Sequence, residues 1–140
     1  MISLIIGRKG TGKTKILVDC VNDAVKVSNG NVVCVEKETK LTYDVNYRAR
    51  LVATDTFAVK GYESFYGFLS GICAGDHDIT DIFVDATFRI ADNREGDCIL
   101  AFLKLVDNLS EISGTHFTFT LSADEEDLPA EIMEFCQKIN

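Results

Sequence analysis

The feature that most constrains this chain is an abrupt change of character near its start. The apolar run Ile2-Ser3-Leu4-Ile5-Ile6 breaks into Gly7-Arg8-Lys9-Gly10-Thr11-Gly12-Lys13-Thr14. A short apolar run rich in β-branched residues and bounded by glycine predicts a strand buried on both faces of a parallel sheet. From Lys13 onward, Leu17, Cys20, Val21, Ala24 and Val25 recur at helical spacing, and Asn29-Gly30 supplies a stop. The turn between strand and helix fits the spacing G-x-x-x-x-G-K-[ST], which reads as a phosphate-binding loop in the context its mechanism requires.

Each residue type in that loop has a physical task. Its glycines let main-chain N–H groups approach a phosphate with no Cβ in the way. Lys13 offers a cation to the β and γ phosphates, and Thr14 a hydroxyl to a magnesium ion. The helix beginning there turns its positive dipole end and unpaired N–H groups toward the anion. Gly7, Arg8, Lys9, Gly10, Thr11, Gly12, Lys13, Thr14 and Lys15 are therefore the nucleotide-binding candidates, with Arg8 and Lys9 adding positive charge to the loop.

The rest of the chain alternates in the same way. Asn31-Val32-Val33-Cys34-Val35 predicts a second strand, running directly into Glu36-Lys37-Glu38-Thr39-Lys40. Residues 36 to 50 are irregular; Tyr43, Val45 and Tyr47 alternate with polar residues, as in an edge strand or a loop. Leu51-Val52-Ala53-Thr54 predicts another strand, and Tyr62, Phe65, Tyr66, Leu69, Ile72 and Cys73 mark an amphipathic helix. The strand from Ile79 closes on a carboxylate, Asp85. Ile99, Phe102, Leu103, Val106 and Leu109 follow a helix period, and His116 to Ser122 returns to strand composition. A closing helix is expected from Asp127 or Pro129, with Ile132, Met133, Phe135, Cys136 and Ile139 as its buried stripe. Alternating strands and helices predict an α/β fold with a mainly parallel sheet of roughly five strands and helices on both faces. At 140 residues the chain is expected to form a single domain, 1–140.

Composition narrows the function classes. With 46% hydrophobic and 26% charged residues, usage is ordinary for a globular protein. The formal net charge of −8 argues against holding nucleic acid or anionic lipid by bulk electrostatics, while leaving a local basic patch open. The acidic run Asp124-Glu125-Glu126-Asp127 reads as solvated loop or helix start. The five cysteines form no C-x-x-C pair and mostly fall among apolar neighbours, which suggests a reducing cytoplasm. Met1 to Ile6 is too short for a signal peptide, and no apolar run reaches the ~20 residues of a membrane helix. A soluble, cytoplasmic protein without membrane insertion is expected. His77 and His116 are isolated and receive no role.

Gly7 to Thr14 resembles the Walker A motif of P-loop NTPases. Ile82-Phe83-Val84-Asp85 looks like their Walker B strand, whose aspartate binds magnesium directly or through water. The resemblance implies a three-layer α/β/α fold, Thr14 and Asp85 as metal residues, and ATP with Mg2+ as ligands. The N-K-x-D signature of GTPases is missing, which favours ATP. Ala86 stands where many ATPases of the additional-strand class carry the glutamate that polarises the attacking water. RecA-like members place a glutamate at the end of the strand after the phosphate-loop helix instead. By that resemblance Glu36 is the general base beside catalytic Lys13, with Glu38 second; a solvated loop carboxylate is the alternative for both.

The same resemblance implies that the strand ending in Thr120 and Ser122 inserts between the phosphate-loop strand and the Asp85 strand, bringing a hydroxyl near the γ-phosphate; packing is the alternative role. Arg8 occupies the place of the signature lysine of partitioning ATPases. Arg48, Arg50, Arg89 and Arg94 are candidate charge-stabilising fingers, and Tyr43, Tyr47, Tyr62 and Phe88 candidate base-stacking residues, with surface and core positions as alternatives. The chain is also similar to short P-loop ATPases of anaerobic Firmicutes. The implied activity is slow Mg-dependent hydrolysis of ATP to ADP and phosphate. Two other readings stay open: a nucleotide-gated interaction module that orders residues 36 to 50 for a protein partner, and a small-molecule kinase, for which the chain is short. A homo-oligomer that completes the site is also open.

Overall fold

The sheet draws in both ends of the chain. A computed structural model describes residues 1–140, with strands β1 (Ile2–Gly7), β2 (Asn31–Glu36), β3 (Arg50–Ala53), β4 (Ile79–Asp85), β5 (His116–Ser122) and β6 (Cys136–Lys138). The helices are α1 (Lys13–Val27), α2 (Gly61–Gly75), α3 (Thr87–Ala91) and α4 (Gly96–Ser113), and short 3-10 turns cover Thr54–Phe57, Glu125–Asp127 and Ala130–Glu134. The strand order is β3-β2-β4-β5-β1-β6, and every pairing is parallel. This is the expected three-layer α/β/α arrangement, with six strands rather than five.

The sixth strand comes from the segment whose periodicity predicts a closing helix. Only Ile132 and Cys136 of the expected stripe are buried, while Met133 and Ile139 are 36% and 42% exposed. The physical competitor is the open edge of β1, whose unpaired backbone groups are a template for pairing. Cys136 to Lys138 pairs with Ile2 to Leu4. Ile139 N–H donates to the Leu4 carbonyl at 3.0 Å. Asn140 then acts as a backbone mimic, accepting from Ile6 N–H at 3.0 Å and donating to the Ile6 carbonyl at 2.8 Å. Pro129 precedes a 3-10 turn instead of opening an α-helix.

Strand alternation divides the core into two faces. Val33, Val35, Ile82 and Val84 point toward α2 and α4 and join Phe65, Phe102, Phe117 and Phe119 in the larger apolar cluster. Phe102 stacks on Phe65 at 5.0 Å between ring centroids and meets Phe119 edge-on at 5.8 Å. Burying one such ring stabilises by about 1.5–3 kcal/mol. On the other face Val32, Cys34, Ile5 and Phe83 meet Leu17, Val21 and Val25 of α1. That cover is extended by Leu41, Val45 and Ala49, buried at intervals of four. Residues 37 to 49 are a loop of turns and bends rather than an edge strand, held on this face by those three side chains. Hydrogen bonds from Asp44 N–H and Val45 N–H to the Leu41 carbonyl close a turn, and Tyr43 and Tyr47 point outward, 100% and 93% exposed.

No helix is long and apolar enough to cross a membrane. All five cysteines are free; Cys34, Cys73 and Cys136 are buried and Cys20 and Cys98 partly so. Burial pushes the Cys34 and Cys136 thiols up to about 12, which makes them inert hydrophobes at neutral pH.

Candidate functional site

In a parallel sheet, ligands bind outside the carboxyl ends of the strands, and the candidate residues gather at that edge. The turn between β1 and α1 is a closed loop whose hub is the Arg8 carbonyl. It accepts hydrogen bonds from Thr11 Oγ1 at 2.7 Å and from Lys13 Nζ at 2.8 Å. Gly10 and Gly12 sit at φ +84° and +85°, in the left-handed region that favours glycine, and a Cβ on Gly7 would lie 2.6 Å from Thr11 Oγ1. Gly12 caps α1, whose first turn carries neither a side-chain cap nor an acidic residue. The first backbone bond of the helix runs from Ile16 N–H to the Gly12 carbonyl. The N–H groups of Lys13, Thr14 and Lys15 therefore have no acceptor within the helix, and its dipole is uncompensated at this end.

Lys13 is 8% exposed. Burial lowers its pKa and the nearby Asp85 carboxylate opposes the shift. Lys15 contributes only its backbone here, because its ammonium pairs with Asp19 at 3.3 Å on the outer face of α1.

Asp85 ends β4 and joins two elements. Its Oδ2 accepts from Thr14 Oγ1 at 3.1 Å and its Oδ1 from Thr120 Oγ1 at 2.7 Å. Thr120 reaches it because β5 lies between β1 and β4, the insertion expected from sequence. Thr120, 1% exposed, thus both packs in the sheet and holds the carboxylate in place.

Glu36 ends β2 in register with Asp85, one strand away. Its side chain is 4% exposed; Oε1 accepts from Lys40 N–H at 2.8 Å, while Oε2 is buried with no partner. A buried, unpaired carboxylate oxygen is costly, and such atoms in native proteins call for a role. Glu38 behaves in the opposite way. It is half-buried, bound by Arg89 at 2.6 Å and Lys40 at 3.7 Å. The Arg89 hydrogen bond holds its carboxyl below the usual range, which makes it a weak base.

The four candidate arginines separate by position. Arg48 and Arg50 lie at the start of β3, lining a groove with Asn31 and Ile79 at the opposite edge of the sheet, and are not site residues. Arg89 is tied to Glu38. Arg94 lies 5.1 Å over the Phe88 ring and donates through Nη2 to the Ser122 carbonyl. Among the aromatic candidates, Phe88 is buried beneath that guanidinium and Tyr62 packs on Phe102 with its hydroxyl donating to Asn93 O at 2.7 Å. Both are engaged in packing. Lys9 is exposed.

Asp124 is the partner that sequence reasoning passed over. It belongs to an acidic run that reads as solvated, yet it binds Arg8 through two parallel hydrogen bonds at 2.8 and 2.9 Å. Nothing local signals a contact between residues 116 positions apart.

No group of three or more His, Cys, Asp or Glu residues forms a metal cage. The donors present are a hydroxyl, a carboxylate and a second, partly unpaired carboxylate, all hard oxygens. That set fits magnesium, which is held by one or two protein oxygens together with water and phosphate. No protein-family model matches this chain, and no curated protein is similar to it.

Proposed function

We propose that this chain is a P-loop NTPase of the additional-strand, RecA-like kind that binds ATP with Mg2+ and slowly hydrolyses it to ADP and phosphate. The observation that carries the reading is the Asp85 carboxylate held between Thr14 of the phosphate-loop helix and Thr120 of the inserted strand, with the free oxygen of Glu36 one strand away. Two elements distant in sequence converge there on the residue types that phosphoryl transfer uses.

In this reading the backbone N–H groups of residues 10 to 15 and the Lys13 ammonium hold the phosphates, with Lys13 leaving the Arg8 carbonyl to do so. Thr14 and Asp85 would hold magnesium, whose charge would offset that of the phosphate oxygens. Glu36 orients a water and takes its proton through Oε2. The water oxygen bonds to the γ-phosphorus as the bond to the bridging oxygen breaks, and ADP leaves. Lys40 N–H fixes the other Glu36 oxygen, so the base is aimed before the substrate arrives. Five free thiols and a phosphate-loop site suit the cytoplasm, where we place the protein.

A second reading draws on the same bond. Since Glu36 is tied to Lys40 and Glu38 to Arg89, occupancy of the site bears on residues 36 to 40 and so on a protein partner that reads them. Single-turnover assays with Mg-ATP and Mg-GTP separate the two. Binding lost in Lys13→Ala, with turnover lost and binding kept in Glu36→Gln, supports hydrolysis. Binding without turnover in the native chain supports the module, and no nucleotide binding at all refutes both.

A further inference from the structure

Beside the phosphate loop lies a cleft of about 390 Å³ with its own charge pattern. Arg8 and Lys9 enter it from the loop, Arg89 and Arg94 from the region after β4, and Asp124 and Asp127 from the turn after β5. Four cations face two carboxylates, and Glu38 pairs with Arg89 from outside the lining, which leaves a local excess of one positive charge on a protein whose net charge is −8. Arg8 and Asp124 offset each other through a bidentate bond, which leaves Lys9 and Arg94 as the cations without a carboxylate partner. The floor is apolar, formed by Phe88, Ala86 and Ala123.

We infer that this cleft is a second anion site, adjoining the triphosphate site through Arg8 and Lys9, which takes a small phosphomonoester. Three features define that ligand. Arg94 is preorganised: its stacking on Phe88 and its bond to the Ser122 carbonyl use one face and one N–H, leaving other donors of the fork for a phosphate. Arg89 spends one guanidinium nitrogen on Glu38 and reaches the same cleft, so two planar forks and the Lys9 ammonium converge on one volume. That volume holds a small molecule and no more, and its apolar floor suits a compact hydrocarbon body attached to the dianion. Ala86 and Ser122 lie next to Asp85 and two residues from Thr120, so the cleft opens on the edge where the triphosphate is read to bind.

The site is tested with phenyl phosphate as the probe, titrated into the full chain with and without saturating Mg-ADP, and into Lys13→Ala, Arg94→Gln and Arg89→Gln. One equivalent is expected to bind with similar affinity with or without Mg-ADP and in Lys13→Ala. Weakening of about tenfold is expected in Arg94→Gln or Arg89→Gln, with circular dichroism checking that the variants fold. Affinity should fall with rising salt. Competition with Mg-ADP together with full binding in both arginine variants would assign the probe to the phosphate loop and overturn the inference, as would no binding. Absence of Mg-ADP binding to the native chain refutes the nucleotide reading instead, and the Lys13→Ala arm still decides this one.

Discussion

The two edges of the sheet handle their polar groups differently. At the edge where strands begin, the side chains close on one another. Ser110 Oγ donates to the Thr115 carbonyl at 2.5 Å, Thr115 Oγ1 to the Ile79 carbonyl at 3.1 Å, and Ser3 Oγ pairs with His116 Nε2 at 2.8 Å. At the edge where strands end, the account stays open. The three buried side-chain polar atoms with no partner, Glu36 Oε2, Thr54 Oγ1 and Thr87 Oγ1, lie at or just beyond the ends of β2, β3 and β4. An uncapped helix start and a buried ammonium lie at the same edge. Folding alone favours closure, since an orphaned polar atom costs about 1–3 kcal/mol. On the proposed reading, the open edge is the one a nucleotide completes.

Substitutions can break that contrast if it is wrong. The largest effect is expected for Glu36→Gln, where loss of a general base lowers single-turnover hydrolysis roughly 10²- to 10⁴-fold with unchanged nucleotide affinity. Unchanged turnover would make the orphaned oxygen irrelevant to chemistry. Lys13→Ala should weaken nucleotide binding by about 3 kcal/mol, roughly a hundredfold, without lowering the melting temperature, because it removes a charge that folding had to bury. Thr120→Val, nearly isosteric, frees one Asp85 oxygen and should slow turnover about tenfold, the value of one hydrogen bond to a charged group. A result equal to native would remove Thr120 from the site.

At the closed edge the pattern should reverse, with stability affected and nucleotide affinity untouched. Ser110→Ala leaves the Thr115 carbonyl without that donor and should cost about 1 kcal/mol in urea unfolding. The smallest effect concerns His116. Burial holds its pKa below the ordinary value of 6.5 despite the opposing charge of Asp81. The unfolded chain therefore takes up the proton first as pH falls. The contribution is present above pH 6.5 and is lost as pH drops through the folded value. The melting temperature should decline from pH 7 to pH 5, and His116→Gln should flatten that slope.

How much of this was legible in advance varies residue by residue. The turn from Gly7 to Thr14 between strand and helix could be read from the sequence, because its glycines and its hydrogen bonds to the Arg8 carbonyl involve neighbours a few positions away. Asp85 was legible for a similar reason, as the last residue of an apolar strand. Glu36 ranks above Glu38 in the sequence only by resemblance, for both are carboxylates in one short polar run. Strand register buries the first beside Asp85 and leaves the second to Arg89 at the surface. The same holds for the arginines: Arg50 and Arg94 look alike in the sequence, yet strand direction sends them to opposite edges.

The chain ending illustrates the limit most sharply. Ile132, Met133, Phe135, Cys136 and Ile139 carry a helix period, and as an isolated segment they would satisfy it. In the folded protein the open edge of β1 offers backbone partners, and pairing there outweighs a weak local preference. What the sequence determined alone was whatever depends on local spacing: the strand-loop-helix unit at the start and the alternation of strands and helices. The full strand order, the sixth strand, the burial of Glu36 and the joining of Arg8 to Asp124 were decided by the tertiary structure, because each rests on contacts between segments whose separation along the chain carries no information about their distance in space.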